Sequence, residues 1–147
     1  MTINRKDQEK FIFASLFDIT NRLQVLGDRK LKETGITTRQ WFLTLVIQQK
    51  EPKAPSIGEC ASLMGTSHQN IRQLIKRLEK RGFVLVKTDP NDRRTQRLYL
   101  TQLCRDFWET RSSEDLIFIN EIFNEFNEKE IADLFKYIEK LGKTINR

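Results

Sequence analysis

The sequence predicts a mostly α-helical protein with one short β-hairpin. Three observations predict this class. Ser, Thr or Asn residues followed three positions later by Gln or Glu recur along the chain, a pattern that marks helix N-termini. Apolar residues recur at spacings of three and four near both ends of the chain, as they do on one face of a helix. Between these regions, two short segments rich in Val, Leu and Tyr flank a polar turn, which is typical of a hairpin.

A long amphipathic helix is predicted over about residues 7–32. Three phenylalanines, Phe11, Phe13 and Phe17, widen its apolar stripe beyond what a helix on the surface of a single domain needs. We therefore expect this helix to bury two sides, one against its own chain and one against another molecule. The stripe consists of Ile12, Leu16, Ile19, Leu23 and Leu26.

Two capping boxes predict the next two helices, because the cap side chain and the Gln or Glu three residues later satisfy each other's backbone N–H groups. The first helix extends to about Gln49 and the second, which is short, reaches Met64. The boxes are Thr37 with Gln40 and Ser56 with Glu59.

A third helix follows the short one almost without a linker. Gly65 ends the short helix, because glycine tolerates the left-handed conformation common at helix C-termini. The next helix starts at Thr66 or Ser67 and runs to about Arg81, before Gly82. Two helices joined by so tight a turn are typical of a helix-turn-helix.

The hairpin and two further helices complete the chain. Strands are predicted over residues 83–88 and 96–100, around the turn-forming tract Asp89-Pro90-Asn91-Asp92. Thr101 opens a long helical region, and Asn127 caps a final helix. The apolar stripe of that last helix is Ile131, Leu134, Ile138, Leu141 and Ile145.

The positive charge is concentrated in the middle of the chain. Residues 67–97 contain nine Lys and Arg against three Asp and Glu, which equals the net charge of +6 for the whole chain. Residues 105–147 contain seven against ten. A clustered basic excess indicates a polyanionic partner. No apolar run approaches the length that spans a bilayer, no signal peptide is evident, and we expect a soluble cytoplasmic protein without a membrane partner.

The tight two-helix unit followed by a basic hairpin predicts a winged helix-turn-helix, and its second helix is the candidate recognition helix. Gln, Asn and Arg match base edges in the major groove, whereas Lys76 and Arg77 are better suited to phosphates. The candidate DNA-binding residues of this helix are Ser67, His68, Gln69, Asn70, Arg72, Gln73, Lys76 and Arg77.

The hairpin tip is the second candidate contact, because a narrow minor groove attracts arginine. Asp92 repels phosphate, but it can orient a guanidinium group through a bidentate pair. The candidate DNA-binding residues of the wing are Asp92, Arg93, Arg94 and Arg97.

The segment from Thr38 to Phe107 resembles the MarR family of bacterial and archaeal regulators. The resemblance is carried by residues 43–47, 57–61 and 70–82, by Asp92-Arg93-Arg94, and by the tetrapeptide Leu98-Tyr99-Leu100-Thr101. Gly58, Cys60 and Cys104 depart from the family pattern, and we expect the short helix that carries the first two to be loosely packed.

The resemblance implies a homodimer that binds double-stranded DNA at a pseudo-palindromic operator and acts as a repressor. It implies Arg94 in the minor groove with Asp92 orienting it, and release by a small aromatic or anionic effector. The implied organisation is an N-terminal dimerisation helix (1–36), a winged DNA-binding domain (37–101) and C-terminal dimerisation helices (102–147). Trp41 and Phe42 are candidates for the effector pocket, with the protein core as the alternative.

Other functions fit the sequence less well. A winged-helix module that docks on an acidic protein is the main alternative, but the exposed helix is rich in Gln, Asn and Arg rather than in aromatic anchors. No catalytic constellation, cofactor motif or metal-ligand spacing is evident, so we predict no enzymatic activity, cofactor or metal. We interpret His68 as a polar or phosphate contact rather than a pH switch or metal ligand, and Cys60 and Cys104 as packed rather than oxidant-sensing.

Overall fold

The computed structural model describes residues 3–146. It confirms the predicted class, a mostly helical winged helix-turn-helix with one antiparallel hairpin. The elements, numbered along the chain, are α1 (Arg5–Leu31), a short 3-10 helix (Lys32–Thr34), α2 (Thr38–Lys50), α3 (Ile57–Met64), α4 (His68–Lys80), β1 (Val84–Asp89), β2 (Asp92–Leu100), α5 (Gln102–Ile122) and α6 (Glu128–Ile145).

The capping residues act as predicted. Helices α2, α3 and α6 each begin with a complete capping box. Ser67, rather than Thr66, caps α4 by accepting a hydrogen bond from the backbone N–H of Asn70. Gly65 and Gly82 follow α3 and α4 with φ values of 61° and 72°, the left-handed region that favours glycine. Local chemistry therefore sets the helix boundaries around the helix-turn-helix.

The hairpin has a shorter turn than the sequence predicts. Strand β2 begins at Asp92 rather than at residue 96, so only Pro90 and Asn91 lie between the strands. Cross-strand partners run regularly from Val84 opposite Leu100 to Thr88 opposite Gln96, and the register then shifts. Polar residues extend β2 because its partner strand satisfies their backbone groups, which a reading of β-propensity alone misses.

The core of the winged region lies between α2, α3, α4 and the base of the hairpin. Its largest fully buried side chains include Leu43, Ile71, Leu78 and Leu98. Cys60 is also fully buried. The expectation of a loosely packed α3 was therefore wrong, because the small thiol side chain fills its position in the core as an apolar group does.

The end of α1 is fixed against the start of α2. The carboxylate of Asp28 accepts a hydrogen bond from the backbone N–H of Thr38 at 2.7 Å. A Cβ atom added at Gly27 would overlap the Thr38 hydroxyl and lie 3.1 Å from its methyl group. The two helices approach closely there because residue 27 has no side chain. Gly27 and Leu31 are the buried residues of α1.

The chain divides into two compact units, Met1–Cys104 and Arg105–Arg147. In the second unit, the Phe107 and Trp108 rings meet edge to face with centroids 4.8 Å apart. Helix α6 has no buried residue, and several of its large apolar side chains are exposed. Within the described range, none of the helices combines the length and apolar character required to span a membrane.

Candidate nucleic-acid interface

The turn between α3 and α4 presents the first turn of α4 to solvent. The backbone N–H of Thr66 donates to the carbonyl of Ala61 at 3.0 Å, which closes the C-terminal end of α3 around the left-handed Gly65. Ser67 then caps α4 immediately. Because Ile71, Ile75 and Leu78 are buried, the opposite face of α4 is fixed outward.

All eight candidate residues of the recognition helix are exposed. The first turn of α4 contains no acidic residue, whereas those of α3 and α6 do. The positive end of the α4 dipole is therefore not neutralised by a carboxylate within its own first turn, which favours an anion such as a phosphate group.

Most of these side chains have no internal partner. Within residues 3–146, the side chains of Gln69, Arg72, Gln73, Lys76 and Arg77 form no hydrogen bond or ion pair. Asn70 differs, because its amide nitrogen donates to the Thr66 hydroxyl at 2.9 Å. Its amide oxygen remains available to accept a hydrogen bond, so Asn70 has less freedom than its neighbours to match a base edge.

His68 packs on α3. A Cβ atom added at Gly58 would lie 3.3 Å from Cε1 and 3.5 Å from Nε2 of His68. The glycine that departs from the family pattern therefore leaves room for the imidazole at the start of the recognition helix. Among residues 3–146, no group of three His, Cys, Asp or Glu side chains is arranged to hold a metal ion.

Asp92 orients Arg94 through the backbone rather than through its guanidinium group. One Asp92 oxygen accepts the backbone N–H of Arg94 at 3.0 Å, and the other accepts the Thr95 hydroxyl at 2.9 Å. The predicted bidentate pair was wrong in this respect, because both oxygens bind inside the turn. Arg93 and Arg94 are exposed, and their side chains form no ion pair within the described range.

Arg97, the fourth wing candidate, is bound within the protein. Its Nε atom donates to the Asp89 carboxylate at 2.6 Å, and its Nη1 atom donates to the carbonyl of Ala54 at 3.0 Å. Only 22% of the Arg97 side chain and 12% of the Asp89 side chain are exposed. The backbone N–H of Asn91 and the Arg97 guanidinium both lower the pKa of Asp89, so the carboxylate is ionised at neutral pH.

Arg81 also binds within the protein, at the C-terminal end of α4. Its Nη1 atom donates to the carbonyl of Thr34, and its guanidinium carbon lies 5.2 Å from the centre of the Phe83 ring. A side chain that the sequence assigns to phosphate binding thus connects α4 to the short 3-10 helix before α2.

Trp41 and Phe42 lie side by side on α2, with ring centroids 6.3 Å apart. Trp41 is half-buried and 39% of Phe42 is exposed. Neither ring belongs wholly to the core, so both keep apolar surface that a flat molecule could contact.

The two cysteines are shielded. Both Cys60 and Cys104 are fully buried. Burial, with a smaller contribution from Glu59, raises the pKa of Cys60 to about 11. A thiol with so high a pKa is almost entirely protonated at neutral pH and reacts slowly with oxidants, which agrees with the prediction of a packing role.

The sequence did not identify the partners of Arg97. Asp89 was assigned only to the turn, and Ala54 to a loop. The hairpin register carries part of the missing signal, because a two-residue turn brings the end of β1 close to residue 97. The contact with Ala54 spans 43 positions along the chain, and no local pattern indicates it.

Known proteins similar to this chain are transcriptional regulators. Residues 34–95 match the MarR family model. The transcriptional activatory protein BadR of Rhodopseudomonas palustris is 28% identical over 138 residues, covering 92% of this chain and 79% of that protein. An uncharacterised HTH-type transcriptional regulator of Bacillus cereus is 28% identical over 133 residues, covering 90% and 87%.

Solved structures share the fold. A MarR protein from Peptoclostridium difficile superimposes with a TM-score of 0.80 at 22% identity, covering 99% of this chain and 92% of that one. The S. aureus MepR–DNA complex gives 0.76 at 17% identity, covering 90% and 97%.

Proposed function

Because the chain belongs to the MarR family and is a DNA-binding transcriptional regulator rather than an enzyme, we propose that it binds a pseudo-palindromic operator as a homodimer through α4 and the wing. The observation that carries this proposal is the solvent-facing side of α4. Its Gln, Arg and Lys side chains have no partner within the described range, so the chemistry for bases and phosphates is available without breaking internal contacts.

In this proposal, α4 enters the major groove. Gln69, Arg72 and Gln73 contact base edges, and Asn70 does so through its free amide oxygen. Lys76 and Arg77, one turn further along, contact phosphates. Ser67 and His68 lie at the positive end of the helix dipole, where a backbone phosphate is favoured.

The wing supplies the second contact. Arg94 enters the adjacent minor groove, and Asp92 keeps the backbone of Arg94 in the required turn. Arg93 lies next to it and contacts the phosphate backbone. The two exposed guanidinium groups at the tip support this assignment.

A second copy of the chain covers the apolar faces of the terminal helices. Phe11 and Phe13 in α1 are 73% and 67% exposed, and Phe135 in α6 is 70% exposed. Apolar surface of this extent in a single chain marks an interaction site. A second copy is the occupant that the proposed function requires, because a two-fold protein matches a pseudo-palindromic operator. Sedimentation at micromolar concentration should return a dimer, and a monomer would contradict this part of the proposal.

The first test is fluorescence anisotropy on DNA from upstream of the protein's own gene and on a scrambled duplex, over a series of salt concentrations. We expect roughly thousandfold tighter binding to the natural duplex and a steep fall in affinity with salt. Arg94→Ala should lower affinity by about 1–3 kcal/mol. Lys136→Ala is the matched control, because it removes one exposed charge from the second unit. Equal, weak binding to both duplexes would favour docking on an acidic protein instead.

We propose repression by occlusion of the promoter, with activation as the second candidate because the relative BadR is named an activatory protein. In vitro transcription from the natural promoter distinguishes the two by the sign of the change. A small aromatic or anionic effector that contacts Trp41 and Phe42 would release the DNA. Titration of aromatic acids into the DNA complex, with Phe42→Ala as the control variant, tests this release.

A further inference from the structure

We propose that Arg97 is a positioning residue that fixes the wing to the loop between α2 and α3, and that it does not contact DNA. Together, Asp89, Arg97 and the carbonyl of Ala54 form a strut, named here the wing strut. This inference rests on the proposed function, because it concerns how Arg94 is placed for DNA. Arg97 belongs to the basic segment and was a DNA-binding candidate, so the inference removes one charge from the predicted interface.

The guanidinium group of Arg97 is already used at two positions. Nε binds the Asp89 carboxylate at 2.6 Å and Nη1 binds the Ala54 carbonyl at 3.0 Å. A carboxylate–guanidinium pair with most of its surface removed from water is held more strongly than an exposed pair. Releasing Arg97 to a phosphate would leave a part-buried carboxylate unpaired, which is costly.

The strut connects the wing turn to the body of the winged region. The second oxygen of Asp89 accepts the backbone N–H of Asn91 at 2.8 Å, so one carboxylate joins the turn to Arg97. Beside the strut, the backbone N–H of Leu98 donates to the carbonyl of Pro55 at 2.9 Å. Ser56 and Arg97 also form an isolated antiparallel bridge. The base of β2 is therefore attached to the α2–α3 loop by side chain and backbone.

Asp89 also removes an unfavourable pair of charges. Lys87 lies directly opposite Arg97 across the hairpin, and like charges in that arrangement are destabilising. Asp89 pairs with Arg97, while the Lys87 ammonium lies 5.0 Å from the centre of the Tyr99 ring. The two cations of the pair are thus held apart.

Arg94 is three residues from Arg97 along the same strand, roughly 10 Å at the rise of an extended chain. A hinge at Arg97 would therefore displace the tip that carries Arg94. Exposed Arg93 and Arg94 contact DNA in the proposed function, and Arg97 determines where that tip lies.

The test compares Arg97→Ala, Arg94→Ala and the double variant by anisotropy on the operator duplex. We expect Arg97→Ala to weaken binding roughly tenfold and the double variant to bind little more weakly than Arg94→Ala alone, because neighbouring residues acting through one contact are non-additive. The salt slope should be unchanged in Arg97→Ala, whereas Arg77→Ala should reduce it by about 0.9. Additive losses, or a slope reduced in Arg97→Ala, would overturn the inference.

Asp89→Asn gives an independent sign. It removes a negative charge, so a purely electrostatic role for this region predicts tighter DNA binding. The strut predicts weaker binding, because the wing loses its attachment, and tighter binding would contradict it. Arg97→Lys keeps the charge without the guanidinium fork and should restore only part of the affinity.

Hydrogen exchange of the DNA-free protein separates failure of the strut from failure of the proposed function. Arg97→Ala and Asp89→Asn should accelerate exchange at the Leu98 amide, while exchange in α2 stays unchanged. Lys87→Ala is the matched control, because it removes one charge from the same hairpin without touching the strut. Unchanged exchange at Leu98 would refute the strut even if DNA binding holds. Absence of specific DNA binding in the parent protein, with faster exchange in the variants, would refute only the proposed function.

Discussion

Helices α4 and α6 follow the same design but differ in what covers them. Each begins with a capping residue, Ser67 or Asn127, and each has an apolar stripe at helical spacing. The stripe of α4 is buried within the winged region. In α6, Phe135 is 70% and Ile138 is 50% exposed.

The difference teaches that an amphipathic pattern predicts a buried face without specifying its partner. For α4 the partner is in the same chain, and the charged side is left for DNA. For α6 the chain supplies too little cover, and a second copy is required in the proposed dimer. Stability of the winged region should therefore depend on its own core, and self-association on the terminal helices.

The largest expected effect tests this contrast directly. Leu78→Ala, at a fully buried position of α4, should lower the free energy of unfolding by about 2–5 kcal/mol. Phe135→Ala should instead weaken self-association while leaving the unfolding of the winged region almost unchanged. Urea titration and sedimentation velocity over a range of concentrations measure the two quantities. A Phe135→Ala protein that associates as the parent does would mean that α6 is not in the dimer interface.

A smaller effect locates the boundary between the two kinds of surface within α1, where exposed residues give way to buried Gly27 and Leu31. Gly27→Ala should destabilise the protein by about 1–3 kcal/mol, because the new methyl group overlaps the Thr38 side chain. Thermal unfolding checks this value. The double variant Gly27→Ala/Thr38→Ala should recover part of the loss relative to Thr38→Ala, since the overlapping atoms are gone. No recovery would indicate that another contact limits the approach of the helices.

The smallest effect is an expected lack of reaction. At pH 8, a thiol with a pKa of about 11 has a thiolate fraction roughly a hundredfold below that of an ordinary cysteine with a pKa near 8.5. Cys60 and Cys104 should therefore resist a thiol reagent in the native protein and react after denaturation. Reactivity of Cys60 should rise only as the pH approaches 11.

A cysteine placed by Phe135→Cys sharpens the comparison. It should react rapidly in dilute protein and slowly at concentrations where the dimer forms. Rapid labelling at every concentration would argue against a partner on that face. Rapid labelling of native Cys60 would show that the winged core opens to solvent.

The sequence allowed most of the helices to be predicted, because helix boundaries depend on neighbouring residues. The caps at Thr37, Ser56 and Asn127 are local and agree with the observed helices. Strand β2 was predicted four residues too short, since Asp92 and the arginines after it have little intrinsic strand preference. Their extended conformation comes from pairing across the turn.

The candidate interface was predictable in outline. Exposure of Arg72 and Gln73 follows from the helical period, given that Ile71 and Ile75 are buried. The state of Arg97 does not follow from any local pattern. Its carboxylate partner lies across the hairpin and its carbonyl partner in a distant loop, and composition alone cannot distinguish a free arginine from one that is already bound.

The contact of Leu98 with Pro55 has a consequence for aggregation. An exposed strand edge is a template on which other chains can add by backbone pairing. The carbonyl of Pro55 occupies this edge of β2 at Leu98. Proline has no backbone N–H to donate, so the pairing cannot be extended through residue 55. The sheet is thereby limited in growth on this side, and a protein that we expect to associate through its helices is protected from associating through its strands.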